Sequence, residues 1–157
     1  MAQTALPENL PPNEQITGAP RKYGFHGTLK PPFRLQGSLP DLEAAVAALA
    51  CRTAPARSAG LALTRLGRWF ALTPSGDISG IGRIAAACVT DLDAFRTPAS
   101  EAELDRRRKA GLTDRQEHHL RKWGYPYVLD QFRFHLTLTG KVDKDRLDAV
   151  GAAIRDA

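Results

Sequence analysis

The feature of this sequence that most constrains its fold is a repeated motif. Residues 23–30 read YGFHGTLK and residues 132–139 read FRFHLTLT, so the pattern Phe-His-x-Thr-Leu occurs twice, with histidines at positions 26 and 135. In each copy apolar side chains alternate with others, as in a β-strand whose successive side chains point to opposite faces. The repeat therefore predicts two similar strands, the first ending at Pro31 because proline donates no hydrogen bond to a sheet.

The alternation assigns one face of each predicted strand to polar side chains. They include His26, Thr28, Lys30, Arg133, His135, Thr137 and Thr139. A spacing of two residues puts an imidazole and a hydroxyl about 7 Å apart on the same side, which spans a phosphate group. Imidazole transfers protons near neutral pH, and hydroxyls and cations bind phosphate oxygens. Two copies facing each other would place a base and an acid on opposite sides of one phosphorus atom.

Each polar position also has a structural explanation. A single histidine on a strand is more often a surface or packed residue than a catalyst, but packing alone would not require the same two polar residues in both copies. For Lys30 and Arg133, contact with a phosphate and simple exposure to solvent are about equally good explanations. Tyr125 and Tyr127 could stack on a base, although such rings more often pack against the protein.

Two further polar stretches are better explained as surface. The run at 106–109, RRRK, could bind an RNA backbone, but a basic stretch on a helix is usually a solvated face. His118 and His119 would point about 100° apart on a helix, so they are poorly placed to chelate one ion and are interpreted as surface residues. The sequence thus predicts no metal site and no cofactor.

Composition sets the limits of the prediction. A chain of 157 residues with 43% hydrophobic content suits one domain, or two small lobes sharing a core. The net charge of +5 suits an anionic partner without selecting one. Cys51 and Cys88 form no paired pattern and are interpreted as buried thiols, and no leader peptide or membrane span is evident, so a cytoplasmic location is expected.

Turn and capping signals divide the rest of the chain into elements. Residues 1–20 are rich in proline and predict an extended tail or linker, so a single domain is expected over 21–157. Two strands are predicted around Gly67, and helices are predicted from 42, 79, 101, 114 and 143. Capping boxes, Ser100 with Glu103 and Thr113 with Gln116, mark the third and fourth of these helices.

The paired motifs, together with PRKYGFHGTLKPPFRL, LDRRRKAGLT, WGYPYV and FRFHLTLTG, resemble the two-histidine (2H) phosphoesterase superfamily. Within it they are similar to a bacterial branch of unassigned activity associated with phosphonate-utilisation genes. The resemblance implies an α+β, bilobal fold in which two similar lobes, each with an antiparallel sheet, face a central groove with helices outside. Members of that branch have an additional strand at each end, so we expect a chain shortened at both ends.

The resemblance also implies an activity. It predicts a metal-independent phosphoric diester hydrolase that opens a cyclic phosphodiester of a nucleotide, an RNA end or a ribosyl phosphate, with phosphonate breakdown as one setting. His26 and His135 would transfer protons, while Thr28, Thr137, Arg133, Lys30 and Tyr127 would bind the substrate. The expected partner is a small phosphate ester or a short RNA end, with no membrane and no obligatory protein partner. The alternative is a binding module for nucleotide or RNA that uses the same groove without catalysis.

Overall fold

The computed structural model describes residues 10–156 and contains both helices and strands. Its α-helices are α1 (Asn13–Arg21), α2 (Leu39–Arg52), α3 (Ser79–Asp91), α4 (Glu101–Arg108), α5 (Asp114–Trp123) and α6 (Leu147–Arg155). Its strands are β1 (Gly60–Leu66), β2 (Trp69–Ser75) and β3 (Leu136–Thr137). The described chain divides into two compact units: a sheet unit of residues 10–27, 59–76 and 135–156, and a helical unit of residues 28–58 and 77–134.

The sheet unit is built on an antiparallel hairpin. β1 and β2 pair in the register Leu63 to Leu72, and the turn between them contains Gly67 with a φ of 64°, a conformation that glycine adopts without a steric penalty. This confirms the two strands predicted around Gly67. β3 adds to the other side of β2 through Leu136, and Gly27 forms an isolated antiparallel bridge to Leu136. The two copies of the repeated motif therefore meet at β3.

An apolar cluster fills the sheet unit behind the hairpin. Its buried members are Phe70, Val142, Leu147 and Val150. α6 fits closely here, since a Cβ added at Gly151 would come within 3.0 Å of the Phe70 ring. α6 is predicted from residue 143 but begins at Leu147, after a single 3₁₀ turn over Lys144–Arg146.

α1 corrects the prediction of an extended segment over residues 1–20, of which residues 1–9 lie outside the described part. Pro12 stands at the N-cap of α1, before the helical hydrogen bonds begin, and Pro20 lies in the last turn. Pro20 has no N–H to donate to the carbonyl of Ile16, and that carbonyl instead accepts the N–H of Gly140 at 2.6 Å. Proline is tolerated because another segment supplies the missing donor.

The helical unit follows the local sequence signals closely. Ser38 Oγ accepts the Asp41 N–H at 3.2 Å and starts α2, and both predicted capping boxes are formed, at α4 and at α5. α5 ends at Gly124, whose φ of 73° is the left-handed conformation expected of a C-terminal glycine. The helices predicted from 42, 79, 101 and 114 are thus confirmed. Buried apolar side chains of this unit are Leu49, Ala85, Val89, Leu92, Leu104, Leu120 and Val128.

The two motif copies are not the eight-residue strands that alternation predicts. The first copy forms only the bridge at Gly27, and the 65% exposure of Phe25 shows that the face predicted to pack inward does not do so there. In the second copy β3 is two residues long and follows a 3₁₀ turn over Leu129–Gln131. Alternation predicts a strand correctly only where a neighbouring strand supplies partners along its length.

The observed sheet also bears on the predicted bilobal arrangement. The described residues contain one three-stranded sheet, all of it in the sheet unit. In the helical unit the only bridge among residues 28–58 and 77–134 joins Leu35 to Arg96. The mixed helix and sheet content is as predicted, while the bilobal two-histidine fold stays a prediction.

Two surface assignments from the sequence need correction. Cys51 is exposed rather than buried, and Cys88 is half-buried, where desolvation raises the pKa of its thiol. His119 is 2% exposed rather than on the surface, and its ring is hydrogen-bonded to Asp130 of the same unit. Within residues 10–156, no helix has the length and apolar character needed to cross a bilayer.

Candidate functional site

A cavity of about 250 Å³ in the sheet unit brings together residues of both motif copies. His26 comes from the first copy, and Thr137 and Thr139 come from the second. The antiparallel bridge between Gly27 and Leu136 explains this, because the next residue pair in the same register is His26 with Thr137. The remaining wall is formed by the end of α1 and the turn after it, including Tyr23 and Gly24, together with Gly140.

The backbone orients the imidazole of His26. Its Nδ1 lies 3.0 Å from the carbonyl oxygen of Gly24, and a carbonyl can only accept, so Nδ1 carries the hydrogen. The other ring nitrogen, Nε2, is then the acceptor of the neutral ring, or a second donor when the ring is protonated. The positive φ of Gly24, 70°, allows the tight turn that places its carbonyl next to Nδ1. Tyr23 meets the same ring edge-on, with centroids 6.5 Å apart.

The two threonines in the cavity differ in what they can offer a ligand. Thr139 Oγ1 accepts the Phe70 N–H at 3.0 Å and donates to the Gly140 carbonyl at 2.9 Å, so its hydroxyl is engaged in holding the fold. Thr137 lies in β3, and its hydroxyl has no hydrogen-bond partner among residues 10–156. Among the motif side chains after Tyr23, the polar groups that can meet a ligand here are therefore the Thr137 hydroxyl and the exposed imidazole of His26.

His135 does not line the cavity that holds His26 and Thr137. Its ring is half-buried and packs against Trp69 of β2, with centroids 5.2 Å apart and planes tilted by 58°. Alternation predicts that His135 and Thr137 share a face, but β3 begins only at Leu136, so strand geometry does not extend to His135. The proton-transfer role assigned to His135 stays a prediction.

Lys30 is engaged in the helical unit. Its side chain is 8% exposed, and its Nζ donates to the carbonyl of Val89 at 3.0 Å and pairs with Asp93 at 3.5 Å. Burial lowers the pKa of this ammonium, and Asp93 offsets part of that effect. Burial also acts to raise the pKa of Asp93, but Arg96 and Lys30 outweigh it and hold that pKa below its ordinary value. These contacts stabilise the helical unit.

The remaining predicted site residues also belong to the helical unit. Thr28 and Arg133 have exposed side chains. Tyr127 is 43% exposed, and its ring and that of Tyr125 form an edge-type contact with centroids 5.7 Å apart. Their assignment to substrate binding stays a prediction.

Sequence reasoning missed a hydrogen-bonded pair between the buried His119 and the exposed Asp130. His119 Nε2 lies 2.6 Å from Asp130 Oδ1, and Arg115 binds the other oxygen of that carboxylate at 3.0 Å. Hydrogen bonds from Arg115 first and His119 second hold the pKa of Asp130 below its ordinary value. Tertiary packing brings these residues together, so no local pattern could have revealed the pair. Among the described residues no group of three or more His, Cys, Asp or Glu side chains is arranged to hold a metal ion.

Two curated bacterial proteins are similar to most of this chain. The chain is 42% identical over 126 residues to a protein of Janthinobacterium sp. (strain Marseille) named ribose 1,5-bisphosphate phosphokinase PhnN, covering 79% of this chain and 28% of that protein. It is 37% identical over 130 residues to a protein of the same name from Laribacter hongkongensis (strain HLHK9), covering 80% of this chain and 29% of that protein. The chain thus spans less than a third of the length of either relative.

These names correct the predicted enzyme class. Both relatives are named as phosphokinases, which transfer a phosphoryl group, so the prediction of a phosphoric diester hydrolase is wrong. The prediction rested on the resemblance of the paired motifs. A short motif is a less reliable basis for assigning a reaction than a match over most of a chain.

Comparison with solved structures gives no match. A family match extends over residues 28–157, which includes the second motif copy and begins two residues after His26. It covers well over half of the sequence. The chain therefore belongs to the family described as protein of unknown function DUF1045.

Proposed function

We propose that this chain is a phosphate-ester-binding domain that acts in phosphonate-related phosphoryl chemistry, with a ribosyl phosphate as its ligand. The observation that carries the proposal is the cavity of the sheet unit, where His26 from one motif copy and Thr137 from the other line the same wall. The names of the two relatives support the choice of ligand, because both contain a phosphorylated ribose.

The geometry of the cavity supports binding of a phosphate group. The imidazole of His26 is fixed through Nδ1, so Nε2 is available, and protonation would make it a charged donor to a phosphate oxygen. Thr137 adds a hydroxyl that has no competing partner in the described chain. A volume of about 250 Å³ suits a small ligand such as a pentose phosphate.

The choice of a binding role over a hydrolytic one follows from the same residues. Acid and base catalysis needs two proton-transferring groups at the reacting atom, whereas this cavity is lined by one histidine, and the other packs on Trp69. A phosphate-binding domain needs only hydrogen-bond donors and a cavity of complementary shape. We infer that any transfer of the phosphoryl group in the relatives depends on further residues of those longer chains.

Titration with ribose 5-phosphate, followed by ³¹P NMR and calorimetry, tests the proposal. Replacing His26 with Ala should weaken binding about tenfold or more, because a charge-assisted donor is lost, and Thr137→Val should cost somewhat less. His118→Ala is the matched control, since that histidine is exposed and belongs to the helical unit. Unchanged affinity in His26→Ala, or release of inorganic phosphate by the parent protein, would contradict a binding role for this cavity.

A further inference from the structure

A second cavity, within the helical unit, has a wall dominated by arginine. It has a volume of about 470 Å³ and is lined by Arg34, Arg96, Arg106 and Arg107, with Glu103 as the acidic member and Phe33 on the apolar side. Its charged lining residues give a formal charge of +3. Guanidinium groups around one cavity repel one another, and an anion bound there would reduce that repulsion.

The backbone fixes two of these arginines. Leu35 and Arg96 form an antiparallel bridge, supported by hydrogen bonds from Gln36 N–H to Phe95 O at 2.7 Å and from Thr97 N–H to Arg34 O at 2.9 Å. This bridge holds the chain at Arg34 beside the chain at Arg96. Both side chains therefore start from a rigid support, which reduces the ordering cost of binding.

Arg96 is further held by its own hydrogen bonds. Nε and Nη2 bind both oxygens of Asp93, at 2.7 and 3.1 Å, and Nη2 also donates to the Lys122 carbonyl at 3.2 Å. Nη1 makes no hydrogen bond within residues 10–156 and lies against Gly124, where an added Cβ would come within 3.0 Å of it. Gly124 lines the cavity, so this side of the guanidinium, with two unused donors, lies at its wall.

Arg106 and Arg107 supply the uncompensated charge. Neither forms a salt bridge within residues 10–156, whereas the next residue of α4, Arg108, is paired with Glu117 at 2.9 Å. The Arg107 guanidinium lies over the Tyr125 ring at 4.7 Å, a stacking contact that orients the group and leaves its N–H edges available. Arg106, Arg107 and Lys109 are exposed, as predicted for a solvated face, and Arg106 and Arg107 also line this cavity.

Glu103 is occupied by structural contacts. Its Oε2 accepts from the Ser100 N–H at 2.8 Å and from Arg34 Nη2 at 3.2 Å. The backbone hydrogen bond from Ser100 is the main cause of its lowered pKa, so this residue stays charged and committed to the helix cap. It pairs with Arg34, and it also interacts electrostatically with Arg106 without forming a salt bridge to it.

We propose that this arginine-lined cavity is a second binding site, for a small molecule that carries two linked phosphate groups. The negative charges of a diphosphate would offset the positive charge that remains on the wall after Arg34 pairs with Glu103 and Arg96 pairs with Asp93. Guanidinium groups bind phosphate oxygens in pairs. The volume suits a nucleotide-sized ligand, with Phe33 against its organic part. The inference is independent of the proposed function, because it uses other residues in the other unit.

Calorimetric titration of the whole chain with ADP, AMP and inorganic pyrophosphate tests the second site. ADP should bind at least about tenfold more tightly than AMP, because AMP lacks the second phosphate. Pyrophosphate distinguishes the diphosphate group from the rest of the nucleotide. If pyrophosphate binds as tightly as ADP, the diphosphate alone is recognised. If it binds more weakly than ADP, the nucleoside also contributes, through contacts on the Phe33 side. Equal affinity for AMP and ADP would overturn the proposal.

Variants of the unpaired arginines make the test specific. Arg106→Gln with Arg107→Gln should reduce ADP affinity by about tenfold or more, and Arg107→Lys should lose part of it because lysine keeps the charge without the planar fork. Arg57→Gln removes one charge from an exposed arginine elsewhere in the same unit and should leave ADP binding unchanged. Equal losses in Arg57→Gln and the double variant would show an unspecific charge effect and no site.

Two more measurements separate this site from the cavity of the sheet unit and from an RNA-binding surface. His26→Ala should leave ADP affinity unchanged, so failure of one proposal does not affect the other. Single-stranded RNA should bind more weakly than ADP, since a cavity holds a compact anion better than an extended backbone. RNA binding that exceeds ADP binding and is lost in the double variant would assign the surface to RNA and overturn the small-molecule proposal.

Discussion

The sheet unit and the helical unit are stabilised by different means. In the sheet unit, Phe70 and its neighbours form an apolar cluster, and a buried hydroxyl, Thr139, bonds to the backbone at its centre. In the helical unit, caps begin the helices, and charged pairs such as Lys30 with Asp93 connect segments far apart in sequence. The candidate cavities differ likewise: the first offers one imidazole and one hydroxyl, the second several guanidinium groups.

The difference shows how fold and recognition are related in each unit. In the sheet unit the bridge between Gly27 and Leu136 also brings His26 to Thr137. The cavity therefore depends on the backbone hydrogen bonds that form the sheet. In the helical unit the same charged residues can serve structure or ligand, and Arg96 does both: two of its nitrogens bind Asp93, while the third is left at the cavity wall. Changes in charge should therefore affect the second unit more than the first.

Each unit contains one tryptophan, Trp69 in the sheet unit and Trp123 in the helical unit, so the two can be followed separately. In a Trp123→Phe background fluorescence reports the sheet unit, and in a Trp69→Phe background it reports the helical unit. Denaturant unfolding of these two backgrounds therefore measures the stability of each unit by itself.

The largest effect is expected from Phe70→Ala in the sheet unit. The ring is 3% exposed and packs in the apolar cluster, so its loss should lower the free energy of unfolding by about 3–4 kcal/mol. Phe70→Leu, which retains most of the volume, should cost about 1 kcal/mol. The unfolding transition reported by Trp69 should shift more than the one reported by Trp123. Equal shifts would show that the two units unfold together and would contradict their separate stabilisation.

A smaller effect is expected from Asp93→Asn in the helical unit. The change leaves the 8% exposed side chain of Lys30 without its carboxylate and replaces one of the two oxygens that accept from Arg96 with an amide nitrogen. The Trp123 transition should lose about 2 kcal/mol, because a largely buried cation is left without a counter-charge. Asp91→Asn is the control, as its partner Arg52 is exposed, and little change is expected. A loss in Asp91→Asn as large as that in Asp93→Asn would contradict the importance of burial.

The smallest effect is expected from acid pH through Glu117. Hydrogen bonds from Arg108 and then Arg121 lower the pKa of this carboxyl from 4.5 to about 2 in the folded chain. Because the folded pKa is depressed, the stabilisation is fully present above about pH 4.5 and is lost as the pH falls towards 2. The Trp123 transition should weaken over this range, and Glu117→Gln should flatten its pH dependence; an unchanged profile in the variant would exclude this carboxyl as the cause.

The parts of the fold that the sequence predicts are those set by local signals. Gly67 marks a hairpin and the capping boxes mark α4 and α5, because each depends on neighbours a few residues away. The length of β3 depends on its strand partners, and the burial of His119 depends on Asp130, which pattern reading cannot supply. For the candidate site, the motifs identified His26 and Thr137, which share a cavity, but not the packing of His135 on Trp69.

The hydrogen bond from Gly140 to Ile16 has a consequence for the order of folding. It joins segments at opposite ends of the described chain, and the sheet unit is assembled from three such separated segments. Residues 28–58 and 77–134 leave the ribosome before residues 135–156, so the helical unit can form while the sheet unit still lacks β3 and α6. During synthesis the hairpin of β1 and β2 therefore emerges before β3 and α6, and we expect a chaperone to bind its uncovered apolar side at that stage.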